Sequence, residues 1–497
     1  MSDTRDSPVD GGDGRPTTRA TSSQTLREGA ARLTHPTFPD AAGEAAWRAA
    51  VAKVLKGEAA EARLVSRTLD GIPVHPLYPA ADAPGPSGAR RPARIFARLD
   101  AADVSSRDDV ENGADGLVLV FAGSGTARGF GIDPAALADA LDGIAIEHLP
   151  LRIEPAPFGG LEAARALLEV ADRRRIDAAA LDLDAGIDPL GFLARTGEAP
   201  NPWPILAGLV AEVVGALRDR GLAGPLLLAD GRPHHEAGAS EAQELAAVVG
   251  SGIAYLRLVE AAGSSLDAAR RSLSFLLPAD ADQVLTVAKF RALRRLWASV
   301  ETACGLAPAP IRLHGETSWR MLTRRDPPTN LLRNALACAG AMLGGADDVT
   351  VLPHTAALGL AEAGARRLAR NTALVLRDEA GLDRVADPAA GAGAFEALTD
   401  ALCREAWDMV GALEAAGGLP AALTDGTWQA RVAAARDGRA ADFASGARAL
   451  VGTNLHPLSD EPETGVLRPP PPPARIAPGA LPSLRDDQLV DPEGAPP

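Results

Sequence analysis

The sequence has few cysteines, and this shortage narrows the classes of protein to which it can belong. Cys304, Cys338 and Cys403 are the only three in 497 residues. They are too few and too far apart for a disulfide framework or a C-x-x-C metal site, and none lies beside a histidine that could activate a nucleophile. We therefore expect buried apolar thiols in a protein of the reducing cytoplasm.

Long apolar runs and lysine are also scarce. No stretch approaches the roughly 18 apolar residues of a spanning helix, and the N terminus has no basic segment leading into an apolar one, so neither membrane insertion nor secretion is expected. The formal net charge of −15 argues against a nucleic-acid-binding surface. Only Lys53, Lys56 and Lys289 are lysine. The many arginines therefore reflect a coding bias and do not indicate anion sites.

Composition divides the chain into four regions. Residues 1–25 hold almost nothing to bury and are expected to be disordered. Residues 26–80 contain a helical pattern that Asp40 could cap, followed by a Pro-rich turn; we expect an arm that contacts a partner subunit, because the region is too small for its own core. Residues 81–455 form the main domain. Residues 456–497 include a five-proline run and are expected to be a polyproline spacer and tail.

Within the main domain, short β-rich runs alternate with amphipathic helical stretches. The eight runs are 94–98, 116–121, 144–149, 178–184, 225–230, 273–277, 311–314 and 348–352. Most are continuous apolar segments, which is typical of strands buried on both faces. Eight strands in about 260 residues predict an α/β fold, a (β/α)8 TIM barrel, which typically takes about 250 residues. An open doubly wound sheet more often has fewer strands and is the alternative.

Polar residues end several of these runs, and in a TIM barrel such ends form the catalytic face. Asp184, Asp230, His314 and Pro353 are expected at one end of the barrel. A metal hydrolase is one interpretation, but no H-x-H or H-E-x-x-H motif supplies two ligands from one element. The loop AGSGTARGFG is similar to a phosphate-binding glycine loop, except that Arg128 occupies its third glycine position.

One long stretch, from His314 to Leu402, carries many short blocks in a fixed order. They include HGETSWRMLT, Asp326-Pro327, Asn330, Arg333, Leu343-Gly344-Gly345, Ala369-Arg370-Asn371-Thr372 and Asp387-Pro388. Further blocks lie upstream, among them LDGIPVHPLYP, DPLGFLART and KFRALRRLW. In these blocks the sequence closely resembles the barrel domain of methylmalonyl-CoA mutases, over roughly residues 64–455.

The resemblance implies a barrel that takes part in the isomerisation of methylmalonyl-CoA and succinyl-CoA. In this family adenosylcobalamin supplies a radical, and the pantetheine of CoA threads the barrel axis. Catalytic members also carry a C-terminal flavodoxin-like domain, in which the histidine of a D-x-H-x-x-G motif binds cobalt. The cofactor performs the difficult chemistry, and the protein contributes ligation, shielding and hydrogen-bond donors to the substrate.

Several functional positions of the family are changed in this sequence. The RQYAGF block, whose tyrosine packs over the reacting carbons, is replaced by ARIFARLDAADVSS. In the G-Y-H-M-Q-E-A-G block the histidine position is Pro233, and His234 follows it. Arg195 survives in FLART, and the H-x-Q pair becomes His314 with Glu316. No D-x-H-x-x-G motif occurs, so we expect no cobalamin-binding flavodoxin-like domain.

The sequence does not decide whether the barrel axis is filled by side chains or forms a tunnel. A tunnel along the axis needs small inward residues, because bulky aliphatic residues ordinarily fill a barrel of this size. The runs LVLVF, PLLLAD and LSFLL are bulky. Half of their side chains point outward, so the runs alone do not decide whether the axis is filled.

The sequence thus predicts the small, non-catalytic subunit of a heterodimeric methylmalonyl-CoA mutase. We expect no catalytic, cofactor-binding or metal-binding residue here: Arg195, His234, His314 and Glu316 are residual family positions, and Pro233 replaces the catalytic histidine. Adenosylcobalamin and the acyl-CoA are expected on the partner, the catalytic large subunit, with no nucleic-acid or membrane partner. The alternative is an active acyl-CoA mutase barrel that uses a separate cobalamin-binding subunit.

Overall fold

The computed structural model describes residues 43–56, 63–81, 92–472 and 476–490. The predicted disordered residues 1–25 and the predicted capping residue Asp40 lie outside the described residues. The chain divides into two compact units at residue 65. The first contains helix α1 (Glu44–Leu55), which falls within the region predicted to be helical and begins after Gly43.

The second unit contains a parallel barrel and a short antiparallel pair, β1 (Ser66–Arg67) and β2 (Pro73–Val74). The barrel strands are β3 (Arg94–Leu99), β4 (Gly116–Val120), β5 (Leu151–Glu154), β6 (Leu183–Asp184), β7 (Leu227–Asp230), β8 (Leu273–Ala279), β9 (Leu313–Thr317) and β10 (Asp348–Thr350). Their spatial order is β6-β5-β4-β3-β10-β9-β8-β7. The two edges meet beyond β6, where the amide of Ile187 donates to the carbonyl of Leu226 (3.1 Å) and the amide of Leu228 donates to the carbonyl of Ile187 (3.0 Å). The predicted (β/α)8 barrel is confirmed.

Helices follow the strands around the outside of the barrel. In chain order they are α2 (Arg107–Glu111), α3 (Leu137–Ala140), α4 (Gly160–Arg174), α5 (Pro189–Thr196), α6 (Trp203–Asp219), α7 (Arg232–Glu236), α8 (Glu241–Ala261), α9 (Leu266–Arg271), α10 (Gln283–Ala303), α11 (Thr329–Gly344), α12 (Ala363–Leu374), α13 (Gly393–Ala415), α14 (Gly418–Asp425), α15 (Thr427–Ala444) and α16 (Asp486–Val490). A π-helical turn, Val375–Glu379, continues α12. In the part of the chain that the structure describes, no helix has both the length and the apolar character needed to cross a bilayer.

Two of the eight predicted strands are placed differently in the structure. The run 144–149 is a loop with a 3-10 turn, Ile146–His148, and the strand follows it at Leu151–Glu154. The run 178–184 begins with another 3-10 turn, which the side chain of Asp177 caps, so only its last two residues are extended. Apolar composition indicated the region correctly, but local capping decided the conformation.

The cysteines do not all share one environment. Cys338 is buried in α11, and burial raises the pKa of its thiol to about 12. Cys403 is half-buried. Cys304, at the end of α10, is exposed, so the prediction that all three are buried is wrong for this residue. Cys304 is the residue after the last turn of α10, and its neighbours Thr302, Ala303 and Gly305 are exposed as well.

Alternation along the strands divides their side chains between two environments. Outward residues such as Ile95, Leu117 and Ile153 join the large apolar core between the sheet and the helices. The residues between them point into the barrel, where Arg152 and Glu154 lie on the same face of β5 because successive strand residues alternate. The interior therefore holds charged side chains, and these form the candidate functional site.

Candidate functional site

Five charged side chains meet inside the barrel, just below the carboxyl ends of the strands. They are Arg98 of β3, Arg152 and Glu154 of β5, Glu316 of β9 and Arg232 of α7, and none is more than 6% exposed. Arg232 Nη1 lies 2.7 Å from Glu154 and 3.1 Å from Glu316. Arg98 Nη1 lies 3.0 Å from Glu316, and Arg152 Nη2 lies 3.0 Å from Glu154. We call this cluster the axial network.

The charges of the axial network compensate one another. Burial alone would raise the pKa of Glu154, but Arg232, Arg98 and Arg152 outweigh it and hold that pKa well below its usual value. Asp230 supplies a third carboxylate, whose two oxygens each accept a hydrogen bond of 3.0 Å from Nε of Arg232. Three guanidinium groups thus face three carboxylates. They occupy the space along the barrel axis that a threading ligand would need.

A second buried group lies deeper in the barrel. His314 Nε2 lies 2.8 Å from Asp184, and His314 Nδ1 lies 2.8 Å from Asp348. Burial lowers the pKa of His314, but the two carboxylates outweigh this effect, and the pKa is raised overall. We expected Asp184 and His314 at the catalytic end with Asp230 and Pro353. His314 is instead the second residue of β9, and its side chain is held between two carboxylates in the interior.

Apolar side chains fill another part of the interior. Phe96, Val118, Val120 and Ala127 form a buried cluster separate from the main core, and the first three lie on the inward face of β3 and β4. The ring of Phe96 contacts the ring of His314 edge-on, with centroids 6.5 Å apart. The inward residues are therefore bulky or charged, as in a packed barrel rather than a tunnel.

The residues expected at the lost histidine position lie in the short helix α7. Pro233 is buried there and offers no side-chain donor. His234 points to another partner, because its Nδ1 accepts a hydrogen bond of 3.0 Å from Nε1 of Trp428. Burial lowers the pKa of His234 to about 4, so this ring is neutral. Pro233 therefore offers no donor, and the Nδ1 of His234 is engaged by Trp428, so the proton of this neutral ring lies on Nε2.

Arg195, the arginine of the FLART segment, forms an ion pair with a carboxylate at the mouth of the barrel. Its Nη1 donates to Glu236 over 3.0 Å, and Arg128 Nη2 donates to the other oxygen of Glu236 over 2.6 Å. Burial would raise the pKa of Glu236, but the two arginines lower it strongly. Arg128, the residue that interrupts the glycine loop, also stacks on Trp319, 4.2 Å from the ring centroid. Its role here is an ion pair and a stacking contact.

The C-terminal residues 467–472 and 476–490, which we call the strap, cross the loops at this mouth. The strap contacts connections that follow five different strands: Leu360, Gly129, Ala194, Glu236 and Arg320. The amide of Leu481 donates to Ala194 over 2.7 Å, and that of Asp486 donates to Arg320 over 2.8 Å. Ser483 Oγ donates to Glu236 over 2.5 Å. The Pro-rich tail thus covers the face on which catalytic residues of TIM barrels lie.

The cavities at the mouth of the barrel are small. One cavity at the mouth has a volume of about 40 Å³ and is lined by Arg98, Arg128, Glu316 and Trp319 among others. Another, of about 30 Å³, lies beside Arg195 and Arg232. Each could hold a water molecule or two. Sites for drug-sized ligands and cofactors are typically about 300–1,000 Å³.

Sequence reasoning singled out Arg195, His314 and Glu316, but only Glu316 belongs to the axial network, and the other four members were missed. Arg98 falls in the run RIFAR, where its inward position follows from alternation once the strand is known. Arg152 and Glu154 were overlooked because the third strand was predicted several residues too early. The available signal was the alternation of apolar and charged residues in LRIE, which is typical of a strand with one polar face.

Comparison with known proteins gives a consistent family assignment. A family model described as methylmalonyl-CoA mutase matches residues 110–474. A protein of Streptomyces virginiae named methylmalonyl-CoA mutase small subunit is 39% identical over 91% of this chain and 76% of its own length. The small subunit of Propionibacterium freudenreichii subsp. shermanii is 33% identical over 78% of this chain and 64% of its own. The methylmalonyl-CoA mutase of Escherichia coli is 33% identical over 47% of this chain and 33% of its own.

Proposed function

The chain belongs to the methylmalonyl-CoA mutase family of isomerases, and we propose that it is the non-catalytic small subunit of a heterodimeric mutase. The family depends on cobalamin and interconverts methylmalonyl-CoA and succinyl-CoA. In this proposal the catalytic large subunit binds adenosylcobalamin and the acyl-CoA. This chain contributes to the assembly and stability of the complex.

The axial network is the observation that supports this proposal most strongly. An acyl-CoA that threads the barrel would have to displace Arg98, Arg152 and Arg232 from carboxylates with which they are buried. Breaking one buried ion pair by removing a partner costs about 3–5 kcal/mol, and several pairs would have to separate together. Two cavities at the mouth, of about 40 and 30 Å³, are far smaller than an acyl-CoA would need.

The residues at the mouth do not fit adenosylcobalamin either. The strap contacts the loops after five strands, so a corrin ring could not approach the ends of the barrel strands without removing it. The position of the family's substrate-binding histidine holds Pro233, and His234 is bonded to Trp428. We therefore derive no catalytic step through this chain.

The same contacts argue against the alternative of an active barrel with a separate cobalamin-binding subunit. Such an enzyme would need an open axis and a donor at the thioester carbonyl. Loss of one positioned donor typically costs about 10²–10³ in rate. The side chains of Arg195 and Glu316, which remain from the family pattern, are engaged in ion pairs within the protein.

Two further parts of the proposal concern partner contacts and location. We place residues 26–80 as an arm against the large subunit, because this region carries little apolar material of its own. We place the complex in the cytoplasm, which agrees with three free cysteines. Limited proteolysis of the complex against the isolated chain tests the arm: protection of residues 26–80 only in the complex supports it.

Co-expression with the large subunit tests the proposed function. We expect the two chains to co-purify at 1:1 and the complex to form succinyl-CoA from methylmalonyl-CoA when adenosylcobalamin is added. The chain alone, with the same cofactor and substrate, should form none. Turnover by this chain alone would contradict the proposal, and so would the absence of a complex.

A further inference from the structure

The N-terminal half of α11 has an apolar outer surface, whereas residues 337–344 are buried except for the half-buried Leu343. Its only charged side chain, Arg333, is 8% exposed and donates a hydrogen bond of 2.6 Å to the carbonyl of Val451. The solvent-facing residues Leu332 and Leu336, one turn apart, are 67% and 46% exposed. A helix that is apolar on all sides is normally buried on all sides. In this chain the outer side of α11 is exposed over its N-terminal half.

The apolar surface continues on both sides of α11. Helix α12 packs against α11 and, with its π-helical continuation, exposes Leu368 and Val375 by 44% and 45%. At the other end, the loop that accepts the bond from Arg333 exposes Val451 and Leu455 by 47% and 40%. We call these residues with Leu332 and Leu336 the α11–α12 face. Together, six aliphatic side chains of this exposure present apolar surface on the order of several hundred Å².

A barrel helix with an ordinary solvated face looks different. Helix α4 buries Leu167 and Leu168 against the sheet, and its exposed residues are all charged: Glu162, Arg165, Glu169, Asp172 and Arg173. The barrel fold itself therefore does not require an apolar outer side. Helix α6 also exposes an aliphatic pair, Ile205 and Leu209, but the α11–α12 face holds six such side chains, and a partner would bury them.

We infer that the α11–α12 face is the docking surface for the large subunit of the mutase. This inference rests on the proposed function, which supplies the partner. A standard interface buries about 800 Å² on each side with an apolar centre and a polar rim. The face provides such a centre, and exposed charged residues, among them Arg325 paired with Glu461 at 3.0 Å, stand at its edge.

A second copy of this chain is a less suitable occupant. Each copy carries a formal net charge of −15, so self-association would bring two strongly negative molecules together. Two relatives that match 91% and 88% of the chain are named small subunits, a name that describes one component of a pair. The large subunit is therefore the occupant to which we assign the face.

Paired charge substitutions test the assignment. The variant L332E/L336E places two carboxylates at the centre of the face, where both side chains are exposed and the fold should tolerate them. The matched control is I205E/L209E on α6, an aliphatic pair at the same spacing with exposures of 54% and 45% on another side of the barrel. Circular dichroism and the unfolding midpoint establish that both variants fold. Binding of each to the purified large subunit is then measured by sedimentation.

We expect L332E/L336E to bind the large subunit at least about 100-fold more weakly than the wild-type chain, because two charges would be buried without partners. The control should bind within a few-fold of wild type. Normal binding by L332E/L336E would overturn the assignment and leave the proposed function standing. Loss of binding only in I205E/L209E would overturn the assignment and indicate that the large subunit binds at α6. If the wild-type chain does not bind the large subunit, the proposed function fails as well. Self-association of the wild-type chain that L332E/L336E abolishes would assign the face to a second copy.

Discussion

The guanidinium of Arg232, in the segment after β7, lies 2.7 Å from the carboxylate of Glu154 on β5, two strands away around the barrel. Arg232 directly precedes Pro233, the position at which the family resemblance places a substrate-binding histidine in catalytic members. One short segment therefore removes a hydrogen-bond donor and places a charged side chain on the axis. Each of the two changes would by itself impair the binding of a substrate that threads the barrel.

Replacement of Arg232 tests the energetic weight of the axial network. Arg232→Ala leaves Glu154, Glu316 and Asp230 with fewer counter-charges in a buried site, so we expect the free energy of unfolding to fall by about 3–5 kcal/mol. Arg220→Ala is the control: its pair with Asp172 is exposed and should be worth about 0–1 kcal/mol. Urea unfolding measures both. Equal losses in the two variants would contradict a buried, mutually dependent network.

A glycine substitution tests the packing of the strap. At Gly129, φ is +87°, and a Cβ would lie 2.1 Å from Cγ of Pro471. Gly391 has φ +77° with open space around it, so Gly391→Ala introduces backbone strain but no steric clash. This strain should lower the free energy of unfolding by about 1 kcal/mol. We expect Gly129→Ala to cost more and to speed amide hydrogen exchange at Leu467 and across the strap. Unchanged strap exchange in Gly129→Ala would show that this contact does not hold the strap.

The pH dependence of stability should report on Asp188. Burial, followed by repulsion from Asp230, raises the pKa of Asp188 to about 7 from an ordinary value near 4. Between these values the folded chain retains a proton that the unfolded chain releases, so this carboxyl makes the fold less stable as pH rises from about 4 to 7, with no further change above.

Asp188→Asn keeps the hydrogen-bond acceptor for Gly191 and removes this titration. We expect the variant to gain stability relative to wild type as pH rises from 5 to 8, since each pKa unit corresponds to about 1.4 kcal/mol. Asp177→Asn, at an exposed cap, should follow the wild-type profile. Parallel profiles for Asp188→Asn and wild type would contradict a raised pKa at this position.

The sequence predicted the barrel because each strand carries its own local signal. Continuous apolar runs located six of the eight barrel strands closely, and the helices between them followed from their spacing. The strand at Leu151–Glu154 was misplaced because two of its four residues are charged, which an apolar search rejects. The closed barrel explains why such residues can be buried, because each of these charges pairs with a counter-charge inside the barrel.

The residues of the site were harder to predict from the sequence because their contacts join positions far apart in the chain. Arg98 and Glu316 are 218 positions apart, and Ser483 and Glu236 are 247 apart. No local pattern links such pairs. The strap illustrates this limit, since proline-rich composition indicates an extended chain but does not indicate the surface against which it packs.

The number of cobalamins bound by the assembled enzyme tests the central claim most directly. Purified complex of this chain with the large subunit is titrated with adenosylcobalamin, and bound corrin is measured by absorbance against protein concentration. We predict saturation at one cobalamin per heterodimer, because the axial network and the strap occupy the barrel interior and its mouth in the part of the chain that the structure describes. Saturation at two per heterodimer would contradict the account.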